Sequence, residues 1–132
     1  MERAELEELW QRRRIQILRL IEVSDLTGQI AQALDRRDEV SITVLLSMRE
    51  DPLRRLTELE QDLRSHLLTL PPEDAIRARE LLDGAAAGTE EEGRVRDCSA
   101  QFRRLLESVT AQDRQISLRM GGQRSFYRMF RS

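Results

Sequence analysis

The side chains that most often carry chemistry are scarce in this sequence. His66 is the only histidine and Cys98 the only cysteine among 132 residues. Catalysis or metal binding through His66 needs carboxylate or thiolate partners at ligand spacing, and the sequence does not place them. Cys98 has no second cysteine for an internal disulfide, and in an apolar helical stripe its thiol behaves as a small hydrophobic group. We therefore expect no metal, no cofactor and no redox role at either residue.

Carboxylates are plentiful, but their surroundings do not suit catalysis. They occur side by side at residues 7–8, 50–51 and 90–92. These are polar stretches, without the apolar environment that raises a carboxyl pKa into the working range of a general acid. The sequence has no glycine-rich phosphate loop, nucleophile elbow or zinc spacing, and no lysine-bearing helix follows Gly121 and Gly122. We predict that the chain is not an enzyme.

The charge balance restricts the class of partner. All 22 basic residues are arginine, and 24 acidic residues bring the formal net charge to −2. Binding to nucleic acid without sequence preference depends on an excess of positive charge, so we expect no nucleic-acid partner. The first residues are acidic and lack an uninterrupted apolar run, so we expect neither a signal peptide nor membrane insertion. With a single cysteine, this pattern favours a cytoplasmic location.

Apolar residues recur at helical spacing along most of the chain. This spacing predicts a first helix over residues 2–34 and a second over 39–69, with Asp38 as its N-cap. Pro52 falls within the second segment, where it either kinks one helix or opens a new one after Asp51, and we favour the single kinked helix. Two prolines then end it, and a third helix follows to Leu82.

Residues 84–93 contain three glycines and an acidic run, so both a loop and a frayed helix fit this stretch. A last helix is predicted from Arg94 to Met120, where a pair of glycines ends it. No segment alternates with the period of a strand. The sequence therefore predicts an all-α fold, an elongated antiparallel bundle or hairpin of three to four helices. Residues 1–120 would form one helical domain and residues 121–132 a basic, aromatic tail.

The last helix carries the most regular apolar repeat. Such a stripe can accept an amphipathic helix of another protein. If the stripe packs against the first two helices in the free chain, a partner must displace it. We predict that a client protein binds at Phe102, Leu105, Val109, Ile116 and Met120. The alternative is a non-catalytic adaptor or structural bundle that self-associates into a homodimer through the same stripe.

Two stretches resemble flagellar protein export chaperones of the FliT and FlgN type. In that family a first helix ends in Ala-Leu, an acidic turn follows, and the second helix opens with Leu-Leu-x-x-Arg, as it does here from Leu45 to Arg49. Residues 105–116 resemble the family's penultimate region, in which an aspartate precedes an apolar residue by three. The resemblance extends over roughly residues 18–70 and 95–127, with Pro52 and the glycines of residues 84–93 as departures.

The resemblance implies a function and a role for the tail. It implies a cytosolic chaperone that binds the helical end of a filament-cap or hook-associated protein, prevents premature assembly, and delivers that client to the type III export apparatus. A tyrosine near the C-terminus of such chaperones docks to the export gate, and Tyr127, beside Phe126, is the candidate here. From the residues alone, the tail fits either a binding element or an unstructured end.

Overall fold

The computed structural model describes residues 1–121, and all regular secondary structure in this range is helical. The helices are α1 (Arg3–Asp35), α2 (Glu39–Leu68), α3 (Pro72–Leu82) and α4 (Glu90–Arg119). The predicted all-α bundle is confirmed. Tyr127 and Phe126, the predicted docking residues of the tail, lie outside the described residues.

The turn between α1 and α2 is fixed by the predicted cap. One carboxylate oxygen of Asp38 accepts a hydrogen bond from the backbone N–H of Ser41 at 3.1 Å, and the other accepts from the Ser41 hydroxyl at 2.6 Å. These bonds satisfy a backbone donor that the first turn of a helix leaves unpaired, and they lower the pKa of Asp38. Beyond the cap, α2 continues through Pro52 to Leu68, so the prediction of one helix is confirmed.

A return segment between α3 and α4 sets the direction of α4. After α3, Gly84 takes a φ of +103°, and a Cβ at this position would lie 3.1 Å from the guanidinium of Arg103. The chain then runs back along α3, because Arg77 donates a hydrogen bond to the carbonyl of Ala86 at 2.9 Å. The helix α4 therefore starts at the same end as α1 and runs parallel to it. The predicted antiparallel arrangement applies to α2, which runs opposite to both α1 and α4.

The start of α4 lies before Arg94, from which the regular repeat predicted a helix, within the stretch 84–93 that the sequence left open between a loop and a frayed helix. The helix begins at Glu90, and residues 84–89 form the loop. Thr89 is the N-cap, since its hydroxyl accepts a hydrogen bond from the backbone N–H of Glu92 at 3.1 Å. The acidic run of residues 90–92 lies in the first turn, where the helix dipole favours negative charge. These two effects outweigh the low helix propensity of Gly93.

The core is divided into two clusters along the bundle. The helix α1 packs against both α2 and α4, while the short α3 covers only one end. The central cluster contains Ile17, Leu20, Val23, Leu53, Leu56, Cys98, Phe102 and Val109. The end cluster contains Leu6, Leu9, Leu63, Leu67, Ala78, Leu81, Leu82 and Val95. Each cluster includes residues of α4, so α4 is an integral part of the fold.

Candidate protein-binding site

The predicted client-binding stripe of α4 faces the interior of the bundle. Phe102, Val109 and Ile116 are buried, with at most 7% of their surface exposed, and Leu105 and Met120 are half-buried. The five residues thus share one face of α4, but α1 and α2 already cover most of it. A client can contact this stripe fully only if α4 leaves the bundle.

A buried ion pair holds the C-terminal half of α4 in place. The guanidinium of Arg49, on α2, lies 3.4 Å from the carboxylate of Asp113, on α4, and each side chain is 1% exposed. Arg49 also donates a hydrogen bond to the hydroxyl of Thr27, on α1, at 3.1 Å. Burial lowers the pKa of Arg49 to about 10, while Asp113 opposes the shift, so the guanidinium stays charged at neutral pH. Three helices therefore meet at one charged contact.

A second polar cluster joins the same three helices nearer the middle of the bundle. Arg13 of α1 donates hydrogen bonds to Ser99 of α4 at 3.2 Å and to Glu60 of α2 at 3.2 Å. Gln16 donates to the same carboxylate at 2.8 Å. The Arg13 guanidinium also lies 4.8 Å from the ring centroid of Phe102, and burial lowers the pKa of Arg13. Displacing α4 would break this cluster and the Arg49–Asp113 pair together.

The first turn of α4 is fixed to α3 by a two-point ion pair. Arg77 donates from Nε and Nη2 to the two carboxylate oxygens of Glu92, at 3.1 Å and 2.9 Å. The backbone N–H of Gly88 donates to the same carboxylate at 2.8 Å. Hydrogen bonds from Arg77, followed by the one from Gly88, lower the pKa of Glu92 to about 2. Both ends of α4 are therefore held by charged contacts.

His66 and Cys98, the residues first considered for catalysis or metal binding, both make contacts within the helical bundle. His66 of α2 pairs through Nε2 with Glu5 of α1, and the side chains of both are largely covered. Cys98 lies in the central core cluster, where burial raises the pKa of its thiol. Within residues 1–121, no three His, Cys, Asp or Glu side chains are grouped so that they could hold a metal ion.

Exposed large apolar side chains form regular rows on two of the helices. Ile15, Leu18 and Ile21 follow one another at intervals of three along α1, and Val40, Val44 and Met48 at intervals of four along α2. We call the second set the α2 stripe. The sequence did not predict this surface, because Ile21 and Met48 recur at helical spacing together with residues that are buried. Ile15 and Leu18 were the sequence signal for this exposed surface, since they lie outside the core-facing side of α1.

Part of the apolar surface of α1 lines an open groove beside α4, which we call the α1–α4 groove. Its walls are Trp10, Arg14, Ile17, Leu18 and Ile21 of α1, and Arg94, Asp97, Cys98, Gln101 and Arg104 of α4. The guanidinium groups of Arg94 and Arg14 lie 4.1 Å and 5.4 Å from the ring of Trp10. The groove thus combines an apolar floor with arginine side chains along its edges.

Comparison with known proteins gives no relative for this chain: no family model, curated protein or solved structure matches it. Among the helices of residues 1–121, none has the length and apolar character needed to cross a membrane.

Proposed function

We propose that this chain is a non-catalytic chaperone that binds a helical segment of another protein before that protein assembles. The observation that carries the proposal is the α1–α4 groove, where Leu18 and Ile21 are 49% and 42% exposed. Charged residues make up 35% of the chain, yet they do not cover these two apolar side chains. Contiguous exposed apolar surface of this kind marks contact sites in proteins. An amphipathic helix would cover these side chains in the way that helices bind hydrophobic grooves.

The resemblance to FliT and FlgN type chaperones supplies the identity of the client in this proposal. The client is a filament-cap or hook-associated protein, bound in the cytoplasm through its helical end. Covering the apolar stripe of that end would keep it from packing against other subunits, which is what prevention of premature assembly requires. Delivery to the type III export apparatus would then involve the tail, with Tyr127 and Phe126 as the docking residues.

The packing of α4 favours a client that binds while α4 stays in the bundle. Reaching Val109 and Ile116 requires α4 to leave the bundle, which separates the Arg49–Asp113 pair and exposes the apolar side chains of both core clusters to water. Binding in the α1–α4 groove requires no such step. None of the five predicted α4 residues lines the groove, so they would then act by holding its α4 wall in place.

Co-purification tests this function. The tagged chain and a version ending at Met120 are each recovered from the native cytosol, and bound proteins are identified by mass spectrometry. We expect a filament-cap or hook-associated protein with both versions, and export-apparatus components only with the full chain. Recovery of the chain alone, in amounts that exclude any flagellar partner, would contradict the proposal.

The α2 stripe supports a second candidate function, self-association into a structural or adaptor bundle. Val40, Val44 and Met48 present an exposed apolar line over about 12 Å of helix, which a second copy could match across a two-fold axis. Light scattering separates the two functions. A stable homodimer that Val44→Asp converts to a monomer would favour the adaptor, and a monomer at the same concentrations would favour the chaperone.

A further inference from the structure

We infer that the α1–α4 groove selects an amphipathic helix whose apolar stripe is flanked by acidic side chains. This inference rests on the proposed function, because it names the chemistry of the client at the same site. It specifies the charge of the side chains that flank the client's apolar stripe and the length of the client helix that the groove covers. Each of these can be tested separately from the identity of the client.

The charge requirement follows from the side chains along the groove. Arg14, Arg94 and Arg104 line it, against the single carboxylate of Asp97. Asp97 is itself paired with Arg96, whose Nε lies 3.0 Å from its carboxylate. Arg94 is paired in the same way, with Glu7 at 3.4 Å. The excess positive charge of the groove therefore comes from Arg14 and Arg104, on a chain whose net charge is −2. Acidic side chains beside the apolar stripe of a partner would meet this charge, and such complementarity sets orientation and association rate.

The length of the bound helix follows from the lengths of the two walls of the groove. Trp10 to Ile21 on α1 and Arg94 to Arg104 on α4 each span about 15 Å, since a helix rises about 1.5 Å per residue. The walls are parallel and in register, because Arg94 pairs with Glu7 at one end and Arg119 with Asp35 farther along. The apolar floor therefore matches about three turns of a bound helix, with anchors at intervals of three and four residues.

A helix fits the groove better than a nucleic acid does. Base stacking needs an open aromatic face, whereas the guanidinium of Arg94 lies only 4.1 Å from the ring of Trp10. The remaining apolar floor, Ile17, Leu18 and Ile21, has no hydrogen-bonding group for a base. It does provide the aliphatic surface that leucine-type anchors of a helix would contact.

Trp10 gives a local signal for binding, since it is the only tryptophan in the chain. The probes are two synthetic helical peptides of about 18 residues with the same leucine stripe, one flanked by glutamate and the other by lysine. We expect the glutamate peptide to change Trp10 fluorescence and to bind at least about tenfold more tightly than the lysine peptide at low salt. The preference should shrink at about 1 M salt, where the Debye length falls to about 3 Å.

Matched variants locate the binding. Leu18→Asp should weaken the glutamate peptide at least about tenfold, whereas Met48→Asp, on the α2 stripe and similarly exposed at 54%, should leave its affinity unchanged. The double change Arg14→Glu with Arg104→Glu should reverse the preference toward the lysine peptide. Circular dichroism and thermal unfolding verify that each variant keeps the fold, which we expect because all four side chains are exposed.

Several results would overturn the inference. They are equal affinity for the two peptides, an equal loss with Met48→Asp, or displacement of the glutamate peptide from Trp10 by single-stranded DNA or anionic vesicles. The inference and the proposed function can fail separately. A flagellar client captured equally by wild type and by Leu18→Asp would overturn the inference alone. Binding of the glutamate peptide as expected, with no flagellar client recovered, would support the inference and contradict the proposed function.

Discussion

Replacing Glu92 by glutamine would measure how strongly the start of α4 is fixed to α3. The carboxylate accepts two hydrogen bonds from Arg77 and one from the backbone N–H of Gly88, and its side chain is only 14% exposed. The pKa of Glu92 falls from 4.5 to about 2. A shift of this size corresponds to at most about 3 kcal/mol of stability. Solvent screening near the surface reduces it, so we expect a loss of about 1 to 2 kcal/mol at pH 7.

The pH dependence provides the sharper test of this prediction. Because the pKa of Glu92 is lower in the folded than in the unfolded chain, its contribution is complete above about pH 4.5 and is lost as the pH falls toward 2. The difference in unfolding free energy between wild type and Glu92→Gln should therefore be largest at pH 7. It should fall to a small fraction of that value at about pH 2, where about half of the folded wild-type carboxylate is protonated.

Urea unfolding followed by circular dichroism measures this difference. With a slope of about 2 kcal/mol per molar urea, the midpoint should fall by about 0.5 to 1 M at pH 7. Glu90→Gln is the control, since Glu90 lies in the same turn but is exposed, and only its smaller interaction with the helix dipole is lost. Equal effects of the two substitutions, or a Glu92→Gln effect that is the same at pH 7 and pH 2, would refute the reasoning.

Three further predictions concern the helices that form the groove. Asp113→Ala should lower the unfolding free energy by about 3 to 5 kcal/mol, because it leaves the buried Arg49 without its carboxylate; a loss below about 1 kcal/mol would show that the pair is dispensable. Thr89→Ala should cost about 1 kcal/mol by removing the N-cap of α4, and an unchanged urea midpoint would contradict that role. Val109→Asp should unfold the bundle and Leu18→Asp should not, as thermal unfolding can show; a folded Val109→Asp variant would mean that α4 is not required for stability.

Local signals in the sequence were sufficient to predict most of the helices. The cap at Asp38 and the break at the two prolines fixed the ends of α2 to within one residue. The sequence left residues 84–93 open between loop and helix, because their glycines oppose the Thr-x-x-Glu pattern from Thr89 to Glu92, which is a capping signal. The parallel direction of α4 was not predictable, since it depends on how the return segment packs along Arg77.

The candidate site was harder to predict than the fold. A periodic apolar stripe such as that of α4 has the same pattern whether it packs inside its own bundle or binds another protein. The sequence therefore could not show that Phe102 and Val109 are core residues in the free chain. The groove depends on which residues of α1 are left over once α2 and α4 have covered the rest, and this is set by tertiary packing.

The most direct test of the proposed function is the mass of the complex formed with a purified filament-cap protein, measured by light scattering after size exclusion. The chaperone account predicts a one-to-one complex with wild type and with Met48→Asp, and its loss with Leu18→Asp. A chain that remains a homodimer and never joins the filament-cap protein would contradict it.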